Sequence, residues 1–242
     1  MPYYGYGYGY GLGYGFFWDP TYILIIIGVV ICLIASAKVR TTFNKYSTVR
    51  SMSGLTGAQA AERILSYAGI HNVQVRHISG NLNDHYDPRN RTLSLSDSVY
   101  NSTSVAAVGV AAHECGHAIQ HARNYAPLRI RGAIVPVANI GSTLAWPLII
   151  IGIIFSGPVL IKVGIVFFCF AVLFQIVTLP VEFNASGRAV RILEKTGILG
   201  ETELRQTRKV LGAAAMTYVA SAAAIILQLL RLLILFGGNR DD

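Results

Sequence analysis

Apolar runs and polar, basic stretches alternate along the chain. Four runs, 21–37, 132–155, 159–181 and 212–236, predict transmembrane helices, because about 20 apolar residues at a rise of about 1.5 Å each cross a bilayer core. Gly157-Pro158 marks a tight connection between the second and third runs. Ala35-Ser36-Ala37 resembles a signal-peptide cleavage site, but no Lys or Arg precedes Lys38. The missing basic region favours an uncleaved span.

Residues 38–131 are far more polar. Thr56-Gly57-Ala58-Gln59 is a capping-box pattern, and Ala60, Ala61, Ile64, Leu65 and Ala68 continue it as an apolar helix face. Val73 to Ile78 alternates as a strand does, Asp84-His85-Tyr86-Asp87-Pro88 predicts a turn, and Thr92 to Ser96 predicts a second strand. A helix is expected from Ser102 or Ser104 to about Arg123. Residues 182–210 predict two helices broken between Gly197 and Gly200. Residues 1–20 form a Tyr/Gly-rich tail that is expected outside the cytoplasm, with aromatic rings suited to the membrane interface.

Composition supports the membrane reading. Hydrophobic residues make up 53% of the 242 positions and charged residues 13%, about half the charged share of a soluble domain. The net charge of +8 could indicate nucleic acid in a soluble protein, but here the basic residues flank apolar runs. Of 20 Lys and Arg residues, 17 lie in 38–131 and 182–210. The positive-inside rule places both polar segments in the cytoplasm. No nucleic acid is expected as a partner. Cys32 and Cys169 lie in apolar runs and Cys115 between His113 and His117, a pattern without a disulfide framework.

His113-Glu114-Cys115-Gly116-His117 carries the candidate chemistry. Four residues turn a helix by about 400°, so both imidazoles project from one face about 6 Å apart along the axis, as a shared zinc requires. Glu114, beside His113, is suited to act as the base toward a water on that ion. The third ligand is sought by elimination. No histidine follows His121, which lies about 12 Å along the helix from His113, and no aspartate lies between Asp97 and Asp241. Among the downstream acids, Glu194 can pair with Arg191 or Lys195, and Glu201 and Glu203 suit a helix first turn. Glu182 directly follows an apolar span, where an unpaired carboxylate is costly, so a metal partner is expected there.

With Asp84 to Pro88, Val110 to Gln120, Glu182 to Ser186 and Ala213 to Tyr218, the sequence resembles the YugP-type membrane zinc proteases. It resembles more distantly the HtpX-like and CAAX-prenyl protease clan. The resemblance implies a gluzincin site holding one zinc per chain through His113, His117 and Glu182. In that clan an aspartate commonly stands four residues after the glutamate and orients a ligand histidine. Here the position is Ser186, which offers a hydrogen bond but no charge. The clan also implies an edge strand that pairs with an extended peptide, a role residues 91–96, with Leu93 and Leu95, could fill. His85, Tyr86 and Tyr218 are candidate oxyanion donors, against a structural turn for the first two and an interface tyrosine for the third.

The expected fold is a mainly α membrane protein, with four transmembrane helices and a small α+β zincin-like cytoplasmic domain. The expected function is a zinc metalloendopeptidase of the cell membrane, multi-pass, with its catalytic site on the cytoplasmic side. Its partners would be lipid, a peptide or membrane-protein substrate, and an oligomeric or regulatory membrane partner of open identity. The alternative is a zinc-binding pseudoprotease or scaffold, against which Glu114 argues because a scaffold needs no base. A site-2-type intramembrane protease lacks its distal aspartate here. A transporter is disfavoured because no span carries a paired set of ionisable residues.

Overall fold

A computed structural model describes residues 19–237, so the expected Tyr/Gly-rich tail lies outside the described residues except for Asp19 and Pro20. Six helices and three strands follow in the order α1 (Tyr22–Ser47), α2 (Gly57–Tyr67), β1 (Gln74–His77), β2 (His85–Asp87), β3 (Thr92–Leu95), α3 (Val105–Ala122), α4 (Ala126–Ile154), α5 (Pro158–Lys195) and α6 (Glu201–Phe236). The fold is mainly helical, and α1, α4, α5 and α6 are each long and apolar enough to cross a membrane. The protein is a multi-pass membrane protein.

The long helices pack through small residues, as helices do where lipid removes the hydrophobic incentive to associate. α1 lies along α6, with Gly28 against Ala224. α4 lies along α5, where a Cβ on Gly141 would come within 2.6 Å of the Phe167 carbonyl. Ala145, Ile149, Phe168 and Leu232 fill a core between α4, α5 and α6. The outer faces of α1 and α4 expose Ile26, Leu33, Ile34, Ile140 and Ile154, as suits helices bordered by lipid.

Outside the bundle, α2, the sheet and α3 share a second core with the C-terminal ends of α1 and α5 and the N-terminal part of α6. Phe43 and Tyr46 of α1, Leu193 of α5 and Leu204 of α6 pack with Ile64, Leu93 and Val108. The segment 182–210 is broken between α5 and α6, as expected, but its two halves continue the neighbouring apolar runs and are not separate helices. α5 and α6 each run unbroken from the apolar bundle into the polar unit, because the polar ends bury their own apolar stripe there. The capping box at Thr56 and Gln59 is formed in both directions.

The sheet departs from expectation. Asp84 to Pro88 is not a simple turn, since His85–Asp87 forms β2 and pairs antiparallel with β3. β1 pairs parallel on the other side, giving the order β1-β3-β2. β3 is thus the central strand and has no free edge for a peptide. Leu93 and Leu95 are fully buried, so the expectation that they contact substrate is corrected: they are core residues.

A second correction concerns charges within the bundle. Arg231 on α6 is buried and its Nη2 donates to Asp19 Oδ2 at 2.8 Å, while its guanidinium lies 4.2 Å from the Tyr22 ring centroid. A span does carry a paired ionisable residue, and the pair ties the start of α1 to α6. Breaking a buried pair costs about 3–5 kcal/mol because one charge is left uncompensated. Asp19→Asn and Arg231→Gln are each expected to lower the melting temperature in detergent, and the double swap Asp19→Arg with Arg231→Asp to recover part of the loss. Single variants that melt with the wild type would show that the pair contributes nothing.

Candidate metal centre

α3 begins at Ser104, whose hydroxyl accepts the Ala107 N–H at 3.1 Å. Ala106, Ala107, Gly109, Ala111, Ala112, Gly116 and Ala118 leave its surface nearly flat, and other helices come close. A Cβ on Gly116 would sit 2.5 Å from the Ala185 carbonyl oxygen of α5. One turn before that contact, each helix presents metal-ligand chemistry: His113 on α3 and Glu182 on α5. Glycine within the motif is therefore a packing requirement that sets the distance between the ligands.

His113, His117 and Glu182 converge, with one ligand atom from each lying within 4.8 Å of the others. Glu182 Oε2 lies 3.3 Å from His113 Nε2 and 3.4 Å from His117 Nε2. Two ligand atoms at opposite ends of a tetrahedral edge, each about 2.0–2.1 Å from zinc, are about 3.3 Å apart. Oε2 is buried and has no hydrogen-bond partner of good geometry. An orphaned carboxylate oxygen facing two imidazole nitrogens at that spacing fits a metal. The other oxygen, Oε1, accepts from Arg131 Nη1 of α4 at 3.2 Å, leaving Oε2 free for coordination. Burial works against a charged His117 imidazole, but the Glu182 and Glu114 carboxylates and Gln120 outweigh it and raise its pKa, so protons compete with metal at this nitrogen.

These residues line a cleft of about 490 Å³. Glu114, the expected base, is nearly buried in its wall. Ser186 Oγ lies 3.1 Å from His113 Nδ1, the place from which a second partner orients a ligand. Of the expected oxyanion donors, Tyr86 lines the cleft with its hydroxyl 2.8 Å from His121 Nδ1. His85 lines it with Nδ1 2.9 Å from the Asn83 carbonyl, and Tyr218 lines it from α6. His121 thus holds β2 to α3 and takes no part in the ligand cluster. Asp84 closes the β2–β3 end by accepting from the Ser96 N–H and hydroxyl, and burial raises its pKa.

The family model described as "Putative neutral zinc metallopeptidase" matches residues 21–237. The chain belongs to this zinc metallopeptidase family. The chain is also 45% identical over 208 residues to the "Putative membrane protease YugP" of Bacillus subtilis (strain 168), covering 86% of this chain and 92% of that protein. No solved structure matches. The kinship covers the YugP-type resemblance.

Three residues joined to the ligand cluster by hydrogen bonds, Asn184 only through Gln120, were not legible in the sequence as such. Arg131 reads in the sequence as one more basic residue heading an apolar run. Asn184 reads as a polar helix position. Gln120 stands one turn after His117 on the same helix, a spacing that could have flagged it.

Proposed function

We propose that the protein is a membrane zinc metalloendopeptidase that hydrolyses peptide bonds close to the cytoplasmic membrane face. The observation that carries this reading is the convergence of His113, His117 and Glu182 beside Glu114 in one cleft. His113 and His117 of a zincin-like unit spanning 38–131, together with Glu182 of α5, would hold one zinc in a gluzincin arrangement. When bound, zinc supplies Lewis acidity, polarising a carbonyl and easing deprotonation of water.

The side chains supply the rest. The Glu114 carboxylate takes a proton from the attacking water as its oxygen adds to the scissile carbonyl carbon. Glu114 then delivers that proton to the amide nitrogen as the C–N bond breaks, releasing an amine and a carboxylic acid, whose remaining water-derived proton passes to the amine to leave carboxylate and ammonium. Tyr218 and Arg131 face the same cleft and can donate to the carbonyl oxygen as it gains negative charge. Ser186 holds the His113 ring. β2, the sheet edge bordering the cleft, replaces β3 as the place where an extended peptide can pair.

Position supports the substrate class. His85 and Arg89 line the cleft from the polar unit, whereas Gly132 and Val135 of α4 line it from the apolar bundle. A chain leaving the bilayer meets both. The basic residues in 38–131 and 182–210 support a cytoplasmic site, and a buried Glu114 disfavours a scaffold.

The test is reconstitution in liposomes with reporters whose cleavable stretch lies at varied distances from a transmembrane helix. Cleavage is expected near the membrane junction, to disappear with a chelator and to return with zinc. A thiol placed by Met52→Cys, where the residue is 91% exposed, is expected to be labelled only from the cytoplasmic side. Absence of hydrolysis from every reporter, with zinc bound, would favour the scaffold.

A further inference from the structure

Gln120 is completely buried, one turn beyond His117 on α3. Its Oε1 lies 3.0 Å from His117 Nδ1. Its Nε2 lies 2.8 Å from the Val181 carbonyl oxygen and 3.0 Å from Asn184 Oδ1, both on α5. Asn184 Oδ1 in turn accepts from Arg188 Nε at 2.6 Å. Which end of a side-chain amide is oxygen follows from what its neighbours can do. This network is anchored at both ends. A backbone carbonyl only accepts and a guanidinium only donates.

Arg188 therefore requires the oxygen of Asn184. That oxygen and the Val181 carbonyl both require the NH2 group of Gln120. Oε1 is left facing His117, and an oxygen there requires a proton on Nδ1. The neutral ring must then carry its lone pair on Nε2, the atom 3.4 Å from Glu182 Oε2. His113 differs. Its Nδ1 meets the Ser186 hydroxyl, which can donate or accept and so selects no tautomer.

We propose that Gln120 is a positioning residue for the metal centre. It holds His117 as the Nδ1–H tautomer with Nε2 ready to coordinate. Through Val181 and Asn184 it also locks the helix carrying Glu182 to the helix carrying both histidines. The chain thus uses a neutral amide where a carboxylate or backbone carbonyl usually orients a metal-bound histidine, and the arrangement adds no charge to the site. The inference rests on the ligand set proposed above.

The experiment is a chelator-competition titration of zinc on full-length wild type and Gln120→Leu in detergent, with folding matched by gel filtration. Loss of an orienting partner typically weakens metal binding about 10–100-fold, and that loss is expected here, together with an altered visible spectrum of the cobalt-substituted variant. A second measurement needs no variant beyond an assignment control. In zinc-stripped wild type at alkaline pH, nitrogen-15 NMR of labelled histidines is expected to show His117 protonated at Nδ1. Wild-type zinc affinity in Gln120→Leu, or His117 protonated at Nε2, overturns the proposal. A wild type that binds no zinc would instead overturn the ligand set itself.

Discussion

Glu182→Ala is expected to leave the protein without stoichiometric zinc. Elemental mass spectrometry of the wild type, purified without chelators, should find about one zinc per chain, and the variant close to none. The removed carboxylate is the only ligand candidate on α5 within reach of both histidines among the described residues. Losing an orienting partner alone typically costs about 10–100-fold in affinity, so losing a ligand should cost more. The substitution also strips Arg131 of its partner at 3.2 Å. That guanidinium is about a third exposed, so water compensates part of the loss and the fold should survive. Glu182→Gln separates the two effects, because the amide oxygen can still accept from Arg131 while the charge that favours a cation is gone. Full zinc in Glu182→Ala would sink the proposed ligand set and turn attention to Glu194, although that residue is exposed and three turns farther along α5.

Glu114→Gln should behave in the opposite way, keeping its zinc and losing its turnover. Glu114 lies outside the three-ligand cluster, so metal content is expected to match the wild type. General acid–base catalysis contributes about 10²–10⁴-fold, and kcat on a membrane-anchored reporter should fall by about that factor. The isosteric amide preserves packing at a nearly buried position but cannot take a proton from water. Measuring kcat and zinc content on the same preparations distinguishes loss of the base from loss of the site. Turnover at the wild-type rate would remove Glu114 from the mechanism.

The two experiments bear on different parts of the proposal. Zinc loss in the first tests whether two helices far apart in sequence form one site. Activity loss in the second tests whether that site hydrolyses anything. A protein passing the first and showing no wild-type turnover is the scaffold.

Much of this was determined by local pattern. Four apolar runs of sufficient length require membrane helices whatever their packing, because unsatisfied backbone groups are not tolerated in lipid. The spacing of His113 and His117 places both on one helix face, since the geometry of a single helix decides it. The Thr56 capping box is equally local. Glu182 emerged from a scarcity of alternatives, whereas Ser186 came only from the resemblance to a clan that carries an aspartate at that position. What tertiary structure alone decided involves contacts between segments distant in the chain. The short β2 has no alternation long enough to distinguish a strand from a turn, and only pairing with β3 reveals it. That pairing moves Leu93 and Leu95 from a supposed substrate edge into the core. The Asp19–Arg231 pair spans more than 200 positions. Gln120 and Asn184 acquire their roles only because Gly116 lets α5 approach within contact of α3, and Arg131 only because α4 lies along α5. A hydrogen bond depends on a few tenths of an ångström, and no pattern of residue types along one chain specifies distances between helices to that precision.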